Sequence, residues 1–348
     1  MVHGKVCIIL PVYNVQGFLE RSISSILAQS YRSFDVYLVD DGSSDGSGEL
    51  CDEIADKYEN IFCFHKSNGG AGDARNFGID NIGKDEYEYV SFVDPDDLLE
   101  QKYLEELVAK INGADLAICG YKTVTYDCNN KIIGEKAFID AHQGYYSDYA
   151  EELSILHRNS FLFAPWNKLY RVSIIKEHNL RFGTTKQYED TTFVYRYLGY
   201  CSSISVTTDC LYLYSKFIKG RKTAVSSFGN EYCEGAFMAF EEGQKVVSHM
   251  LDLRMDGNAV KLFQERLDNH LHTSILGEMI VNLSFSHLSW KQRRDYLNSL
   301  ITRFHCYFTS FDEKKESGIS KMACRFANRG RINCVVMMSY LYKIRHCC

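Results

Sequence analysis

Short apolar runs alternate with segments of helical period over residues 6–121, and this alternation constrains the fold more than any other feature. Each apolar run is short enough to be a buried strand. Strands alternating with helices predict a Rossmann-like α/β domain, with a mainly parallel central sheet and helices on both faces. In such sheets ligands bind outside the carboxyl ends of the strands. The predicted strands are Val6–Val12, Asp35–Asp40, Ile61–His65, Tyr89–Val93 and Asp115–Tyr121, and the predicted helices cover residues 17–28, 48–58, 74–81 and 98–111.

The chain beyond this alternation is less regular. Thr123–Thr125 and Ala137–Ile139 flank a polar turn, which predicts a β-hairpin. Short helices are expected around residues 164–170 and 186–193, and a further strand over Ser203–Leu213.

Long stretches of helical period without proline begin near Asn230 and continue to the end of the sequence. This change predicts two parts, an α/β domain over residues 1–227 and a C-terminal α-helical region over residues 228–348. No run of about 18 apolar residues occurs, so no membrane-spanning helix is expected.

Composition and charge argue against several classes of protein. The formal net charge is −6, and a general nucleic-acid binder would usually be basic. The 13 cysteines contain no CxxC pair, which argues against a disulfide framework or a zinc ribbon. The N-terminal sequence lacks the long apolar segment of a signal peptide. We therefore expect a cytoplasmic protein with reduced thiols.

Three polar motifs stand at the carboxyl ends of predicted strands. PVYN ends the first strand, VDDGS the second and FVDPDD the fourth, so all three are expected at the same edge of the sheet. Five carboxylates at one edge would repel each other without a cation, which favours a divalent metal such as Mn²⁺ or Mg²⁺ and a nucleotide diphosphate partner. Taken singly, DDGS and DPDD are also typical of capped turns.

The order PVYN, VDDGS, NGG-x-x-x-ARN-x-G and FVDPDD closely resembles the family 2 glycosyltransferases, which have the GT-A fold. The resemblance covers roughly residues 5–227 and implies roles for individual residues. It implies that Asp94 contacts the ribose and the metal and that Asp96 coordinates the metal. Pro95 stands where serine is common, and the spacing of the two carboxylates is kept. Nucleotide contacts are implied for Pro11, Tyr13, Asn14, Asp40, Asp73 and Arg75, with Asp40 pairing with uracil.

Asp190 and Glu189 form the second acidic cluster. An inverting glycosyl transfer needs one general base to take the proton from the acceptor hydroxyl. The resemblance implies that Asp190 is this base and that Glu189 orients it or contacts the acceptor. The alternative is an acidic first helical turn favoured by the helix dipole.

Five further residues are expected near the donor or the acceptor. Trp166 offers a flat face for a sugar ring and Lys168 a cation, although a core tryptophan beside a solvated lysine is the alternative. Asp97 closes the DPDD motif. Lys222 and Ser226 belong to a basic segment that resembles the flexible loop which closes over the diphosphate in this family, but the spacing before the serine is altered.

The C-terminal end combines basic residues with a short apolar segment, Ile332–Tyr342. A basic amphipathic helix is able to lie on an anionic membrane surface. The alternatives are that the segment packs on the catalytic domain or on a second copy in a homo-oligomer.

The resemblance as a whole implies an inverting, metal-dependent glycosyltransferase. It would move a sugar from a nucleotide diphosphate donor, a UDP-sugar above all, to a surface-polysaccharide or lipid-linked acceptor at the inner face of the cell membrane. An inactive nucleotide-binding assembly subunit is one alternative, against which the intact Asp94, Asp96 and Asp190 argue. A nucleotidyltransferase would need a basic glycine-rich loop after the first strand, but PVYNVQGF stands there. A dinucleotide oxidoreductase is not expected, because no GxGxxG follows the first strand.

Overall fold

The structure is a computed structural model of the chain. It describes residues 4–83, 86–127, 129, 131–139, 141–185, 187–217, 231–276, 288–303 and 332–338. Its strands are β1 Val6–Val12, β2 Phe34–Asp40, β3 Ile61–His65, β4 Tyr89–Phe92, β5 Leu98–Leu99, β6 Leu116–Tyr126, β7 Ile132–Phe138, β8 Gly144–Tyr146, β9 Lys168–Arg171 and β10 Ile204–Phe217. Its helices are α1 Gln16–Leu27, α2 Ser47–Lys57, α3 Ala71–Asn81, α4 Tyr103–Ile111, α5 Ala150–Arg158, α6 Val172–Glu177, α7 Glu189–Leu198, α8 Glu231–Asp252, α9 Gly257–Leu276 and α10 Trp290–Arg303.

One sheet runs through the α/β part of the chain, in the order β3-β2-β1-β4-β9-β6-β10-β5. The first four of these strands are parallel, and β6 is parallel to β10. β9 joins the two parallel groups by pairing antiparallel with β4 and β6. The mainly parallel sheet with covering helices confirms the predicted fold class.

The first two strands carry no exposed residue. Every residue of β1 and β2 is buried, because the sheet is covered on both faces. Near-continuous apolar runs are the sequence form of such strands, and β1 and β3 have the predicted bounds.

One predicted helix is shorter than expected and another is absent. Leu98 and Leu99 form β5, which pairs antiparallel with Leu213 and Tyr212 of β10, and α4 begins only at Tyr103. Residues 164–167 form a loop that leads into β9 rather than a helix. In both places long-range strand pairing overrides the local periodicity. The predicted hairpin is confirmed by the antiparallel pairing of β6 and β7.

The C-terminal helices pack on the α/β domain. Arg196 of α7 pairs with Glu242 of α8 at 3.0 Å, and Arg266 of α9 donates to Ser154 Oγ of α5 at 2.6 Å. The predicted boundary at residues 227/228 falls within 218–230, outside the described residues. Among the described residues, no helix is long and apolar enough to cross a membrane.

The described part of the C-terminal apolar segment, residues 332–338, is helical. Its apolar side chains Ile332, Val335, Val336 and Met338 are buried, whereas Met337 is 51% exposed. The apolar face of this part is therefore covered by protein, and contact of the C-terminal segment with a membrane remains a prediction. The structure therefore favours the alternative that the segment packs on the rest of the chain.

Candidate active site

The carboxyl ends of β1, β2 and β4 bring the three predicted motifs to one edge of the sheet. β1 lies between the other two, and the three strands are parallel. Val12 at the end of β1 pairs with Asp40 at the end of β2, and the Asp41 amide donates to the Val12 carbonyl at 2.8 Å. β4 ends at Phe92, so Asp94 follows at the same edge.

A cleft of about 790 Å³ opens at this edge. Small-molecule sites usually measure about 300–1,000 Å³. Of the predicted site residues, Pro11, Tyr13, Asp73 and Glu189 line the cleft. The rest of its lining is Asp41, Asn76 and residues 68–72 and 183–185.

The glycine-rich side of the cleft is held by Asp41, a residue outside the predicted set. Its Oδ1 accepts from Lys66 Nζ at 2.6 Å and from the Gly69 amide at 2.9 Å, and its Oδ2 accepts from the Gly70 amide at 2.7 Å. Gly70 has a φ of 94°, which favours glycine. With these amides fixed, α3 begins at Ala71, earlier than predicted, and its first residues line the cleft. The sequence offers no signal for which aspartate of DDGS turns toward this loop.

Asn14 and Asp40 lie beside the cleft rather than in its lining. Asn14 Oδ1 accepts from the Ser44 amide at 2.8 Å, which ties the end of β1 to the DDGS loop. Asp40 is buried, and its Oδ1 accepts from the Ser43 amide at 3.1 Å while its Oδ2 lies 3.0 Å from His65 Nδ1. Contact of either residue with a nucleotide base remains a prediction.

Arg75 connects the two acidic clusters. Its guanidinium donates to Asp94 Oδ1 at 2.7 Å and to Asp190 Oδ1 at 2.5 Å, and it lies over the Phe182 ring. The side chain is only 2% exposed and lies in the second turn of α3 rather than at its start. Both terminal nitrogens of Arg75 are thus paired with carboxylates, and its contact with the nucleotide remains a prediction.

Glu189 and Asp190 begin α7 and have different surroundings. Burial raises the pKa of Asp190 to about 6, a rise that Arg75 opposes and Asp94 reinforces. Burial and the neighbouring Asp190 raise the pKa of Glu189 to about 8, again against the effect of Arg75. Glu189 lines the cleft, and Asp190 keeps 26% of its side chain exposed while it contacts Arg75. Carboxyls with pKa values near neutrality are suited to proton transfer.

Asp97 is fully buried, and its contact with the donor or the acceptor remains a prediction. Its Oδ2 accepts from the Tyr212 hydroxyl at 2.7 Å and its Oδ1 from the Ser215 amide at 2.7 Å. The same Tyr212 hydroxyl accepts from the Asp94 amide at 3.1 Å. Asp97 thus fixes the DPDD loop to β10, which holds Asp94 in place.

The two remaining carboxylates of this loop, on Asp94 and Asp96, fit a divalent cation of the Mg²⁺ or Mn²⁺ type. Both side chains are half-buried at the open edge of the sheet. Asp40, Asp41 and Asp97 accept hydrogen bonds from backbone amides, so these three carboxylates hold the loops around the predicted metal pair. Ions of this type are usually held by one or two carboxylates together with substrate phosphates.

Trp166 belongs to an aromatic stack beside the DPDD loop. Its ring lies parallel to Tyr212 with centroids 4.6 Å apart, and Tyr214 stacks at 5.5 Å. Trp166 is half-buried, so part of its surface remains open. Its contact with a sugar remains a prediction.

Lys168 is fully buried, and its contact with a ligand phosphate or carboxylate remains a prediction. Its Nζ donates to the carbonyls of Phe161 and Ala164 at 2.5 and 2.8 Å and to Asn167 Oδ1 at 2.8 Å. Burial lowers its pKa to about 7. The amine therefore organises the loop that presents Trp166. Lys222 and Ser226 lie within 218–230, outside the described residues.

Comparison with known proteins agrees with this architecture. The crystal structure of S. aureus TarS 1-349 in complex with UDP-GlcNAc has a similar fold, with a TM-score of 0.63, 19% identity and coverage of 98% of this chain and 92% of that one. "Glycosyltransferase GlyA" of Streptococcus pneumoniae is 34% identical over 55% of this chain, and the match spans 27% of that protein. "Putative glycosyltransferase EpsH" of Bacillus subtilis is 28% identical over 78% of this chain and 75% of its own length.

The mainly parallel sheet, its covering helices and the likeness to TarS define the GT-A fold. Residues 7–178 match the family described as "Glycosyl transferase family 2". The chain belongs to the family 2 glycosyltransferases, and it is a glycosyltransferase.

Proposed function

We propose that this chain is an inverting, metal-dependent glycosyltransferase that uses a UDP-sugar donor. The observation that carries the proposal is the Asp190–Arg75–Asp94 bridge. One guanidinium holds the proposed base close to the proposed ribose and metal contact, at the open edge of the sheet.

Asp190 is the general base of the proposed reaction. The acceptor hydroxyl attacks the anomeric carbon in line with the departing diphosphate, so that a new C–O bond forms as the bond to the phosphate oxygen breaks. The hydroxyl proton passes to the Asp190 carboxylate. Its pKa of about 6 leaves it mostly ionised near neutral pH while keeping it basic enough to take the proton. Glu189, which lines the cleft, orients the acceptor.

Asp94 and Asp96 would hold a Mn²⁺ or Mg²⁺ ion. Such an ion, when bound, supplies positive charge to the leaving diphosphate. The chain itself fixes the two carboxylates through Arg75 and through the anchoring of the loop by Asp97 and Tyr212.

The UDP-linked donor is supported by the neighbouring fold of TarS, whose crystal structures were solved with UDP-GlcNAc and with UDP. The acceptor is a hydroxyl of a surface-polysaccharide or lipid-linked glycan, as the resemblance implies, and action on a lipid-linked acceptor would bring the chain to the inner face of the cell membrane.

The first experiment is a thermal-shift panel of UDP, GDP, CDP and ADP, each with Mn²⁺, Mg²⁺ or EDTA. A ligand that binds only the native state stabilises it, by about 2.7 kcal/mol at 100 times its Kd. We expect stabilisation by UDP with metal that EDTA abolishes. The Asp96→Ala variant should lose the metal-dependent part.

A matched control is Asp295→Ala, which removes an exposed carboxylate on α10. It should keep the shift with UDP and metal. No shift of the unaltered chain with any nucleotide would contradict the proposal and would favour an inactive assembly subunit.

A further inference from the structure

A second group of side chains of the kinds that bind metals lies next to Asp40, outside the lining of the cleft. Cys63 and His65 are on β3, and Asp52 is on α2, which covers that strand. Their ligand atoms all lie within 4.8 Å of one another. Among the described residues, no other group of three or more histidine, cysteine or acidic side chains is this close.

The positions follow from regular secondary structure. Side chains two apart on a strand share a face, which places Cys63 beside His65. Cys63 Sγ lies 3.4 Å from His65 Nε2, and Asp52 Oδ1 lies 2.9 Å from the same nitrogen. The neighbouring buried Cys51 forms a hydrogen bond with Cys63, which together with burial raises the pKa of the Cys51 thiol.

We propose that Cys63, His65 and Asp52 form a binding site for Zn²⁺ or a similar borderline-soft divalent ion. The site is separate from Asp94 and Asp96 and does not rest on the proposed transferase mechanism. Sulfur, imidazole nitrogen and carboxylate oxygen are the donors that zinc prefers, whereas Mg²⁺ and Mn²⁺ prefer oxygen alone.

The distances suit such an ion. A tetrahedral zinc about 2.0–2.3 Å from its ligands places them about 3.3–3.8 Å apart. The separation of Cys63 Sγ and His65 Nε2, 3.4 Å, already falls in this range. The Asp52 oxygen must move back by a few tenths of an ångström, and its side chain is 60% exposed and able to do so. The fourth position would be open to water.

Asp40 supplies the supporting interaction that histidine ligands usually have. Its Oδ2 lies 3.0 Å from His65 Nδ1, so Nδ1–H can donate to the carboxylate while Nε2 faces the ion. Carboxylates in this position fix the histidine tautomer and orientation. The site thereby shares Asp40 with the edge where the nucleotide base is expected.

Zinc has to displace a proton from His65. Hydrogen bonds to Asp52 and Asp40 raise the pKa of His65 to about 9, and the thiol of Cys63 faces the same ring. Cys51, which is on α2, forms a hydrogen bond with Cys63. The imidazole is thus held between two carboxylates and a thiol, which fixes the direction of its Nε2 atom.

The test is a titration of the full, metal-free chain with Co²⁺, which reports sulfur ligation through a thiolate-to-cobalt absorption band, followed by competition with Zn²⁺. We expect one equivalent of Co²⁺ to produce the band and Zn²⁺ to remove it. Cys63→Ala should abolish the band. The matched control Cys210→Ala, which alters another half-buried thiol, should keep it.

Two further variants test the supporting role of Asp40 and the independence of this site from Asp96. Asp40→Asn should weaken the affinity about 10–100-fold through the loss of the supporting carboxylate. Asp96→Ala should leave the band unchanged, because that residue belongs to the other site. Absence of the band in the unaltered chain, or its persistence in Cys63→Ala, would overturn the proposal. If Cys63→Ala does not fold, the test uses Asp52→Ala instead, since Asp52 is exposed. An unchanged affinity of Asp52→Ala for Co²⁺ would also overturn the proposal.

Discussion

Asp190 and Glu189 are neighbours in the chain but face different partners. Asp190 accepts from the buried Arg75 guanidinium, whereas Glu189 lines the cleft. Both pKa values are raised by burial, that of Glu189 further because Asp190 lies beside it. Asp190 is therefore the more acidic of the two carboxyls and the more readily ionised near neutral pH.

Replacing Asp190 with asparagine should remove the proton acceptor while keeping the shape of the side chain. We expect the rate of transfer to fall by about 10²–10⁴-fold, the usual contribution of a general base. The dissociation constant of UDP, measured by calorimetry, should remain close to that of the unaltered chain. If Asp190→Asn turns over normally and Glu189→Gln does not, the base is Glu189.

The rate should also depend on pH through Asp190. A general base acts only when deprotonated, so kcat/KM should be low below pH 6 and rise to a plateau above it. Positive charge from a metal at Asp94 would move this limb to lower pH. A profile that falls between pH 5 and 7 would contradict the assignment.

At the scale of elements, Arg75 joins α3, the loop after β4 and the start of α7. Removal of the Arg75 side chain would leave the partly buried carboxylates of Asp94 and Asp190 without this cation. Removing one member of a buried ion pair usually costs about 3–5 kcal/mol, and lysine lacks the planar fork that reaches both partners.

We therefore expect Arg75→Ala to lower the free energy of unfolding by about 3–5 kcal/mol in urea denaturation. Arg181→Ala is the matched control, because Arg181 pairs with Asp80 nearer the surface and should cost about 1 kcal/mol or less. Equal losses in the two variants would show that the bridge has no special role.

The strands also differ in how far they could be predicted from the sequence. β1 and β3 could be placed from the sequence because their apolar runs are continuous and bounded by turns. β5 and β9 could not, because two- and four-residue strands depend on partners distant in the chain. The motifs identified the edge of the sheet at which the cleft opens. The burial of Asp97 and Lys168 could not be predicted, since burial of a polar side chain depends on its long-range partners rather than on its neighbours.

At the scale of the whole molecule, the C-terminal helices are part of one packed body. α8 contacts α7 through Arg196 and Glu242, α9 contacts α5 through Arg266 and Ser154, and the apolar face of residues 332–338 is buried. The helical region therefore contributes to the stability of the catalytic domain.

A charge placed in residues 332–338 tests this packing. Val335→Asp should lower the free energy of unfolding by several kcal/mol, because an unpaired carboxylate would be buried. Met337→Asp, at an exposed position of the same helix, should change it by about 0.5 kcal/mol or less. Denaturation curves that coincide for the two variants would show that this face is not packed in solution.

The aromatic stack beside the DPDD loop has a spectroscopic consequence. The chain contains two tryptophans, and one of them, Trp166, lies against Tyr212 and Tyr214. The other, Trp290, is half-exposed at the start of α10 in the helical region. In Trp290→Phe, the emission of the remaining tryptophan would come from Trp166 alone. Donor and acceptor binding could then be followed by native fluorescence, without a label.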